Sequence, residues 1–260
     1  MFRVLPPFGG DQRATAEVVN GIMNGKTNNT GTVSLATGGA LTTTITDERI
    51  GYDSNIILIP ASAAAFADAV PYGAFQDATD QTAANTTTAY PITFDTTDYS
   101  NGVTLSNSSR INVKNAGVYN IQFSIQLNNT TNDSQDVDVW FRKNGTDIAN
   151  SNSRFGLATR KSSGDPYHMI GSLNFFVELA ANDYVQLMWR ASNTGVTIEQ
   201  YPAGTSPTRP AVPSVILTVN YVNPSATTNI YVSSNAKGSA TLTHFSNSTA
   251  NKTYAYVIVG

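Results

Sequence analysis

The stretch NAGVYNIQFSIQL (Asn115–Leu127) is the clearest indication of the fold class, because apolar and polar residues alternate from Tyr119 to its end. One face carries the apolar side chains of Tyr119, Ile121, Phe123, Ile125 and Leu127. The other face carries Asn120, Gln122, Ser124 and Gln126. Strict alternation is typical of a β-strand with one face in a core and the other face free. The stretch therefore predicts a sheet that covers a core on one side.

Several further stretches on both sides of Asn115–Leu127 have the character of strands. They are AYPITFD (89–95), QDVDVWFRKNGTDI (135–148), MIGSLNFFVEL (169–179), DYVQLMWRAS (183–192), VTIEQYP (196–202) and SVILTVNYV (214–222). Asn144-Gly145 is a strong signal for a tight hairpin turn. Strands at this spacing, separated by turn residues, predict an antiparallel sandwich or jelly roll over residues 78–222.

Shorter strand-like segments occur near both ends of the chain. They are GTVSLAT (31–37), ALTTTIT (40–46), NIILIP (55–60), TNIYVSS (228–234), GSATLTHF (238–245) and TYAYVIVG (253–260). We expect the first two to form a hairpin around Gly38-Gly39, NIILIP to be buried on both faces, and TYAYVIVG to be a paired strand. The Ala-rich segment ASAAAFADA (61–69) is compatible with a short helix or a tight turn.

One segment near the start of the chain is predicted to be helical. Asp11 can cap a helix that runs to Gly25, with an apolar stripe on one side. The stripe consists of Val18, Val19, Ile22 and Met23. Gly21 costs a helix up to about 1 kcal/mol relative to Ala, so the helix needs support from elsewhere. The stripe can pack on its own domain or, as an oligomer interface, on copies of itself, and the sequence leaves both open.

The terminal segments resemble a small β domain of tailed-bacteriophage tail-fibre and virion structural proteins. The resemblance rests on NGKTNNTGTVSL (24–35), TTTITDERIGYDSNIILIPASAAA (42–65) and IYVSSNAKGSATLTHFSNSTANKTYAYVIVG (230–260). In that family these motifs follow one another directly, whereas here more than a hundred residues separate them. The resemblance therefore implies an inserted domain: an N-terminal attachment segment and helix (1–26), a discontinuous small β domain (27–77 plus 223–260) and an inserted jelly roll (78–222).

The inserted region resembles the jelly roll of the complement first-component globular head and tumour necrosis factor family. The motifs are NAGVYNIQFSIQL, FRKNGTDI (141–148), LAANDYVQLMWRA (179–191) and SVILTVNYV. In that family a central strand opens on a similar pattern, an Asn-Gly turn forms a hairpin, and an apolar strand closes the core. The resemblance implies a homotrimer with the central strands around the three-fold axis. The expected fold class is thus mainly β, with an N-terminal helix and an antiparallel jelly-roll sandwich inserted into a small β domain.

Composition disfavours several classes of function. Charged residues make up 13% of the chain, the formal net charge is −3, and the Lys and Arg residues form no run. We therefore expect no nucleic-acid partner, since such a partner calls for a basic surface. The absence of cysteine removes disulfides and thiolate chemistry. No apolar stretch suggests a signal peptide or a bilayer-spanning segment, so we expect no membrane insertion.

The sequence contains only weak signals of catalytic chemistry. His168 and His244 lie near no nucleophile motif, and His244 is interpreted as structural. The acidic cluster 132–138 lacks the pattern of an EF-hand and is interpreted as a solvated loop in preference to a calcium site. Three further carboxylates that could form a glycosidase pair are Glu178, Asp183 and Glu199. We therefore expect no catalytic residue, no metal, no cofactor and no enzymatic activity.

Aromatic residues provide the candidate binding residues. By alternation Trp189 belongs to the core, whereas Trp140 faces outward beside Asp138 and Arg142. Exposed aromatic residues commonly anchor interfaces and stack on sugars. The candidate receptor contacts are Tyr99, Trp140, Tyr167 and His168, with Tyr201 as a further loop aromatic.

Three functions follow as hypotheses. The first is a bacteriophage virion structural protein, a trimeric tail or fibre appendage made in the host cytoplasm. It would attach to tail or capsid proteins through Met1 to Lys26 and expose the jelly-roll loops near Tyr99, 129–136 and 162–168 to a host surface glycan or protein. The second is a lectin-like carbohydrate-binding module. The third, which the sequence supports least, is a polysaccharide-degrading enzyme.

Overall fold

The structure is a computed structural model that describes residues 11–23, 29–67, 71–224, 230–247 and 250–260. The chain divides into two compact units. The smaller unit combines Met1–Phe66 with Ile230–Gly260, and the larger unit is Ala67–Asn229. Both consist mainly of antiparallel β-sheet, so the predicted fold class is confirmed.

The elements follow one another along the chain as helices α1 and α2 and strands β1 to β22. The first are α1 (Gln12–Met23), β1 (Thr30–Ser34), β2 (Ala40–Thr46), β3 (Asn55–Pro60) and α2 (Ala63–Ala67). Next come β4 (Tyr72–Asp77), β5 (Gln81–Thr82), β6 (Tyr90–Pro91), β7 (Thr96–Asn101), β8 (Val103–Ser106), β9 (Arg110–Val113), β10 (Gly117–Asn129), β11 (Gln135–Lys143) and β12 (Thr146–Asp147). Then follow β13 (Ser153–Leu157), β14 (Tyr167–Leu179), β15 (Tyr184–Ala191), β16 (Val196–Ile198), β17 (Gly204–Thr205), β18 (Thr208–Arg209) and β19 (Val215–Pro224). The last strands are β20 (Tyr231–Ala236), β21 (Ser239–Asn247) and β22 (Thr253–Val259).

The larger unit is a sandwich of two seven-stranded sheets, consistent with a jelly roll. In the first sheet β14 pairs with one edge of β10 along its whole length, and β19 and β16 pair with successive stretches of the other edge. Strands β4 and then β7 follow β19, and β5 follows β16. We call this sheet the β10 sheet. In the second sheet the order is β12-β11-β15-β9-β8, with β13 on β11 and β6 on β15. We call this sheet the β11 sheet. Both have one face in a shared core.

The core of the larger unit forms because the two sheets direct their apolar residues toward each other. The five apolar side chains of β10 named above are at most 4% exposed. Phe123 from the β10 sheet meets Phe141 from the β11 sheet edge to face, with ring centroids 6.0 Å apart. Trp189 is also fully buried in this core, as its position in the alternation predicted. Such aromatic pairs add about 0.5–1.5 kcal/mol beyond the burial of their area.

The hairpin between β11 and β12 is the predicted Asn-Gly turn. Lys143 pairs with Thr146, which leaves Asn144 and Gly145 as the two loop residues. Their φ angles are 48° and 84°. These are the left-handed values that a tight hairpin turn requires. The hairpin prediction is therefore confirmed.

The smaller unit is built from both ends of the chain. It contains two three-stranded sheets, in the orders β1-β22-β3 and β2-β21-β20. The core side chains come from residues 35–65 and 240–258. They are Leu35, Ile45, Ile50, Ala65, Ala240, Leu242, Tyr254, Tyr256 and Ile258. The predicted strand TYAYVIVG forms β22, which is paired on both edges.

Two local predictions for the smaller unit were wrong. The strands on either side of Gly38-Gly39 do not form a hairpin, because β1 pairs with β22 and β2 pairs with β21. The two glycines, at φ values of 75° and 83°, instead lie where the chain passes from one sheet to the other. The segment NIILIP is also not buried on both faces, because β3 is an edge strand: Ile57 is 54% and Ile59 is 53% exposed. Residues Ala63–Ala67 of the Ala-rich segment after it form the helix α2.

The predicted domain boundary at residue 77 was placed too late. Tyr72–Asp77 is strand β4, which pairs with β19 inside the β10 sheet and so belongs to the larger unit. The division falls instead at Phe66 and Ala67 before the insertion and at Asn229 and Ile230 after it. Of the predicted attachment segment 1–26, residues 1–10 and 24–26 lie outside the described residues, and helix α1 groups with the smaller unit.

Candidate functional site

A shallow cleft opens on the outer face of the β11 sheet beside Trp140. Along β11 the buried side chains of Val139 and Phe141 point into the core, so Trp140 between them points outward and stays half-buried. The cleft has a volume of about 320 Å³. Its lining residues are Asp138, Trp140, Asp147, Ile148, Asn150, Asn152 and Arg190.

The cleft exists because strand β11 lacks a continuous partner at this point. On one side β13 pairs with β11 only up to Val139, and β12 takes over only from Arg142. The chain between β12 and β13 loops away from the sheet and is tied back to Phe141. Phe141 N donates to Ser151 Oγ at 3.0 Å, and Ile148 N donates to the Phe141 carbonyl oxygen at 2.9 Å. This loop forms one wall of the cleft.

A buried carboxylate forms the floor beside the tryptophan. Asp138 is 4% exposed and lies between Arg154 on β13 and Arg190 on β15, which are directly opposite it in the sheet. Arg154 Nε donates to Asp138 Oδ1 at 2.9 Å, and Arg190 Nε donates to Asp138 Oδ2 at 3.1 Å. Burial alone would raise the pKa of Asp138, but the hydrogen bonds from Arg154, Asn152 and Arg190 outweigh it and hold the pKa below its ordinary value.

A second carboxylate fixes the orientation of the indole ring. Trp140 Nε1 donates to Asp147 Oδ1 at 2.8 Å, and Arg142 Nε donates to the same oxygen at 2.6 Å. These hydrogen bonds, with that from Arg142 the stronger, lower the pKa of Asp147 below its ordinary value. The ring is therefore held in one position with part of its surface open to the cleft. An aromatic surface bordered by amides and carboxylates can bind a ligand that has both an apolar face and hydroxyl groups.

The other candidate receptor contacts lie elsewhere in the larger unit. Tyr99 is 67% exposed, and it belongs to the edge strand β7 of the β10 sheet instead of a loop. Tyr167 and His168 also are not loop residues, because they begin strand β14 opposite Asn129 and Asn128. The four predicted contacts therefore form no single site, and Trp140 is on the opposite sheet from the other three.

His168 belongs to a small hydrogen-bonded cluster at one end of β10. The Tyr201 hydroxyl donates to Glu199 Oε2 at 3.0 Å and lies 2.7 Å from His168 Nδ1. Asn128 Nδ2 donates to the same carboxylate oxygen at 2.6 Å. Burial first, and then the neighbouring Glu199 carboxylate, raise the pKa of the Tyr201 phenol well above its ordinary value. The cluster ties the chain after β16 to strands β10 and β14.

Of the three carboxylates considered for glycoside cleavage, Glu178 and Glu199 are too far apart to act as a pair. Glu178 is opposite Val118 near one end of β10, whereas Glu199 bonds to Asn128 ten positions along the same strand. At about 3.3 Å per residue the two ends are roughly 33 Å apart, against the roughly 5–9.5 Å between the carboxyl groups of a glycosidase. Asp183 is held in a turn by Asn144 and Lys143.

The outer face of the β10 sheet is a second candidate surface, because three of its strands present no charged side chain there. Strand register places the following side chains on the outer face of β10, β19 and β4, none of them charged: Val118, Asn120, Gln122, Ser124, Gln126, Asn128, Ile216, Thr218, Asn220, Tyr72, Ala74 and Gln76. Edge strand β14 adds Ile170 and Phe176, which are 61% and 56% exposed, and places Glu178 at its end. Asn120 Oδ1 is buried on this face and has no hydrogen-bond partner within the described residues.

The predicted apolar stripe of helix α1 is largely uncovered in the single chain. Asp11 caps the helix as expected, since Ala14 N donates to Asp11 Oδ1 at 2.6 Å. Val18 is half-buried, whereas the exposed stripe residues are Val19, Ile22 and Met23. Apolar residues exposed together on one helix face are typical of surfaces that contact another protein or a membrane.

The remaining chemistry of the described residues is sparse. His244 is buried in the smaller unit and lies 2.7 Å from the Thr43 hydroxyl. No group of three or more His, Asp or Glu side chains is placed to hold a metal ion in the part of the chain that the structure describes. Of the two described helices, neither has both the length and the apolar character to span a bilayer.

Comparison of the sequence with protein-family models gives no match, and comparison with the curated proteins gives none either. The sequence indicated Trp140 as a candidate but not the residues that surround Asp138 in its cleft. Arg154, Arg190 and Asn152 are distant in sequence from Asp138, and only strand register brings them to it. The only signal of this cluster in the sequence was the alternation of charged and apolar residues along β11.

Proposed function

We propose that this chain is a structural protein of a bacteriophage virion, a homotrimeric tail or fibre appendage that presents its inserted β-sandwich to the host surface. The terminal segments support the virion assignment through their resemblance to the small β domain of tail-fibre proteins. The larger unit supports the display role, because it is a compact body inserted into a smaller one.

The main support for a homotrimer comes from the outer face of the β10 sheet. Interface cores in oligomers are poor in charged residues and enriched in aromatic residues, whereas free protein surfaces are rich in charge. This face has no charged side chain on three adjacent strands, and Phe176 and Ile170 are exposed at its edge. The unpaired Asn120 Oδ1 would gain a donor from a neighbouring subunit, which removes the cost of an unsatisfied buried polar atom. Closed three-fold symmetry buries such a face in all subunits at once.

Helix α1 supports attachment through the N-terminal region. Its exposed stripe and the internal Gly21 describe a helix that gains stability when another surface covers it. Copies of the same helix around the symmetry axis, or neighbouring tail or capsid proteins, provide such a surface. The β-sandwich would then face away from the particle.

The test is to localise the protein on virions of the virus that encodes it. Antibodies raised against the larger unit should label a tail or fibre in electron micrographs, and the label should disappear from particles that lack the gene. A protein that is absent from purified particles but abundant in infected cells would contradict the proposal.

A lectin-like carbohydrate-binding module is the second candidate function, and the cleft beside Trp140 favours it. The two functions are compatible, because an appendage that faces the host must bind something there. They differ in one requirement: a lectin needs only to bind a sugar, whereas an appendage must also be incorporated into the virion.

A further inference from the structure

We propose that the cleft beside Trp140 binds a neutral saccharide unit of the host surface. This inference rests on the proposed function, since it assigns a ligand class and a site to the displayed β-sandwich. It uses the cleft on the β11 sheet, which is separate from the uncharged face of the β10 sheet that we assign to the trimer interface.

The indole ring is prepared for stacking. Its Nε1–H group is already bonded to Asp147, so the ring does not have to be oriented when a ligand arrives. Sugars present C–H groups on one face of the ring and hydroxyl groups around its edge, which suits a fixed aromatic surface. A ligand that meets a fixed side chain loses little conformational entropy on binding.

The charges around the cleft favour a neutral ligand. Three guanidinium groups face three carboxylates here, so the charges balance: Arg190 pairs with Asp138, Arg154 with Asp138 and Asp136, and Arg142 with Asp147. An anionic sugar would compete with these carboxylates for the same guanidinium groups. A neutral sugar can instead use carboxylate lone pairs and N–H groups that the ion pairs leave available, without separating opposite charges.

Amide side chains on the loop wall supply adaptable hydrogen bonds. Asn150 is exposed at the cleft, has a left-handed φ of 61°, and its side chain makes no hydrogen bond within the described residues. Asn152 is only weakly held, since its Nδ2 lies 3.4 Å from Asp138 Oδ1. Each amide offers two donors and one acceptor, a good match for the hydroxyl groups of a sugar.

The size of the cleft limits the ligand. Its volume is about 320 Å³. Small-molecule sites in proteins typically have volumes of roughly 300–1000 Å³, so this cleft is at the lower end. It is open to solvent on the outer face of the sheet, and a longer glycan chain can therefore continue beyond it. We expect recognition of one terminal or internal unit of a larger glycan.

The chain offers its own fluorescent reporter for this site. Its two tryptophans are the half-buried Trp140 and the fully buried Trp189. Quenching by acrylamide should therefore report mainly on Trp140. The full-length protein is first applied to an array of neutral hexose and N-acetylhexosamine oligosaccharides together with sialylated and uronic-acid glycans. The neutral oligosaccharides that bind are then added in solution, and they should protect the tryptophan emission from acrylamide.

Substitutions test whether glycan binding occurs at the cleft beside Trp140. Trp140→Ala should lower binding of the neutral array glycans by about tenfold or more, which corresponds to about 1.4 kcal/mol or more. Asn150→Ala should weaken it less, and Tyr52→Ala, which removes an exposed aromatic ring from the smaller unit, should leave it unchanged. The unchanged emission of Trp189 in Trp140→Ala shows that the sandwich is folded.

Three results would overturn the inference: no binding of any neutral glycan on the array, equal binding by Trp140→Ala, or binding confined to the acidic glycans. Labelling of virions with the same antibodies separates this outcome from the wider proposal. Labelled particles whose protein binds no neutral glycan refute the saccharide site and leave the appendage in place. Saccharide binding that depends on Trp140, with no protein on the particle, supports the site and refutes the appendage.

Discussion

The buried carboxylate of Asp47 joins two separate parts of the smaller unit through hydrogen bonds. It is 9% exposed and accepts hydrogen bonds from Arg49 Nε at 2.8 Å and from the Tyr256 hydroxyl at 2.8 Å. The hydrogen bond from Arg49 outweighs the opposing effect of burial and holds the pKa of Asp47 far below its ordinary value. This links a residue after β2 to the central strand β22.

We expect the smaller unit to lose stability in acid because of Asp47. The folded state keeps this carboxylate ionised at pH values where the unfolded chain, with a pKa of about 3.9, already binds a proton. The stabilising contribution is therefore complete above about pH 4 and declines as the pH falls below that value. Hydrogen exchange of the β22 amides, measured from pH 7 to pH 3, should show protection that falls most steeply below pH 4.

Asp47→Asn should remove this dependence and lower the free energy of unfolding at neutral pH by about 1.5–3 kcal/mol, the usual worth of hydrogen bonds to a charged group. Glu48→Gln is the matched control, since Glu48 is an exposed neighbour and should change neither quantity. Equal exchange profiles for the two variants would show that the Asp47 network does not stabilise the unit.

Single residues also show what a sequence can predict. Alternation along β11 and β15 correctly separates outward Trp140 from buried Trp189, because a side-chain period of two is a local property. The pairing of Asp138 with Arg154 and Arg190 is not local. It depends on which strands become neighbours and in which register, and no pattern within one strand specifies that.

At the scale of elements, the turn between β11 and β12 is the feature that sequence determines best. Asn144 and Gly145 both have left-handed φ angles, and Asn144 also accepts a hydrogen bond from Tyr184 N at 2.9 Å. The mispredicted hairpin at Gly38-Gly39 has similar residues. It differs because the two flanking strands pair with strands of the C-terminal segment and not with each other. The residues of the turn do not indicate such distant pairing.

Gly145→Ala should destabilise the larger unit, because Gly145 has a φ of 84°. A residue with a Cβ is strained in this left-handed region by about 1–2 kcal/mol, which is the loss of unfolding free energy that we expect. The added methyl group itself has room, since the nearest atom is the Tyr184 hydroxyl oxygen at 3.7 Å. Urea unfolding followed by Trp189 fluorescence measures the change. An unchanged midpoint would mean that the hairpin does not need this turn.

Gly21→Ala should act in the opposite direction on helix α1. Nothing lies within 4 Å of the added Cβ. Alanine is favoured over glycine inside a helix by about 0.5–1 kcal/mol. Slower hydrogen exchange of the α1 amides is the expected result. Faster exchange would show that the glycine itself is needed for close packing of this helix.

At the scale of the whole molecule, the segment of one compact unit is inserted into the sequence of another. The two ends of the chain meet in one core, and the residues between them build the sandwich. The sequence predicted this organisation from motifs that were separated along the chain, but it placed the first boundary at residue 77 instead of at Ala67. The strand Tyr72–Asp77 is short and similar in composition to its surroundings, so only its pairing with β19 assigns it to the sandwich.

A charge placed on the β10 sheet should disrupt the trimer that we propose. Gln122→Lys introduces a cation on the uncharged face in the middle of β10, where burial in an interface would cost several kcal/mol without a partner. Thr104→Lys adds the same charge on the exposed edge strand β8 of the β11 sheet and should leave assembly intact. The two variants should differ in mass in solution while both remain folded. Equal masses would contradict the assignment of this face as the interface.

The proposed homotrimer is best tested by the mass of the full-length protein in solution, measured by light scattering during size-exclusion chromatography. One chain has a mass of 27.7 kDa. We expect a species of three times that mass that persists on dilution. A species with the mass of a single chain at all concentrations would contradict the homotrimer and the role that we assign to the uncharged face of the β10 sheet.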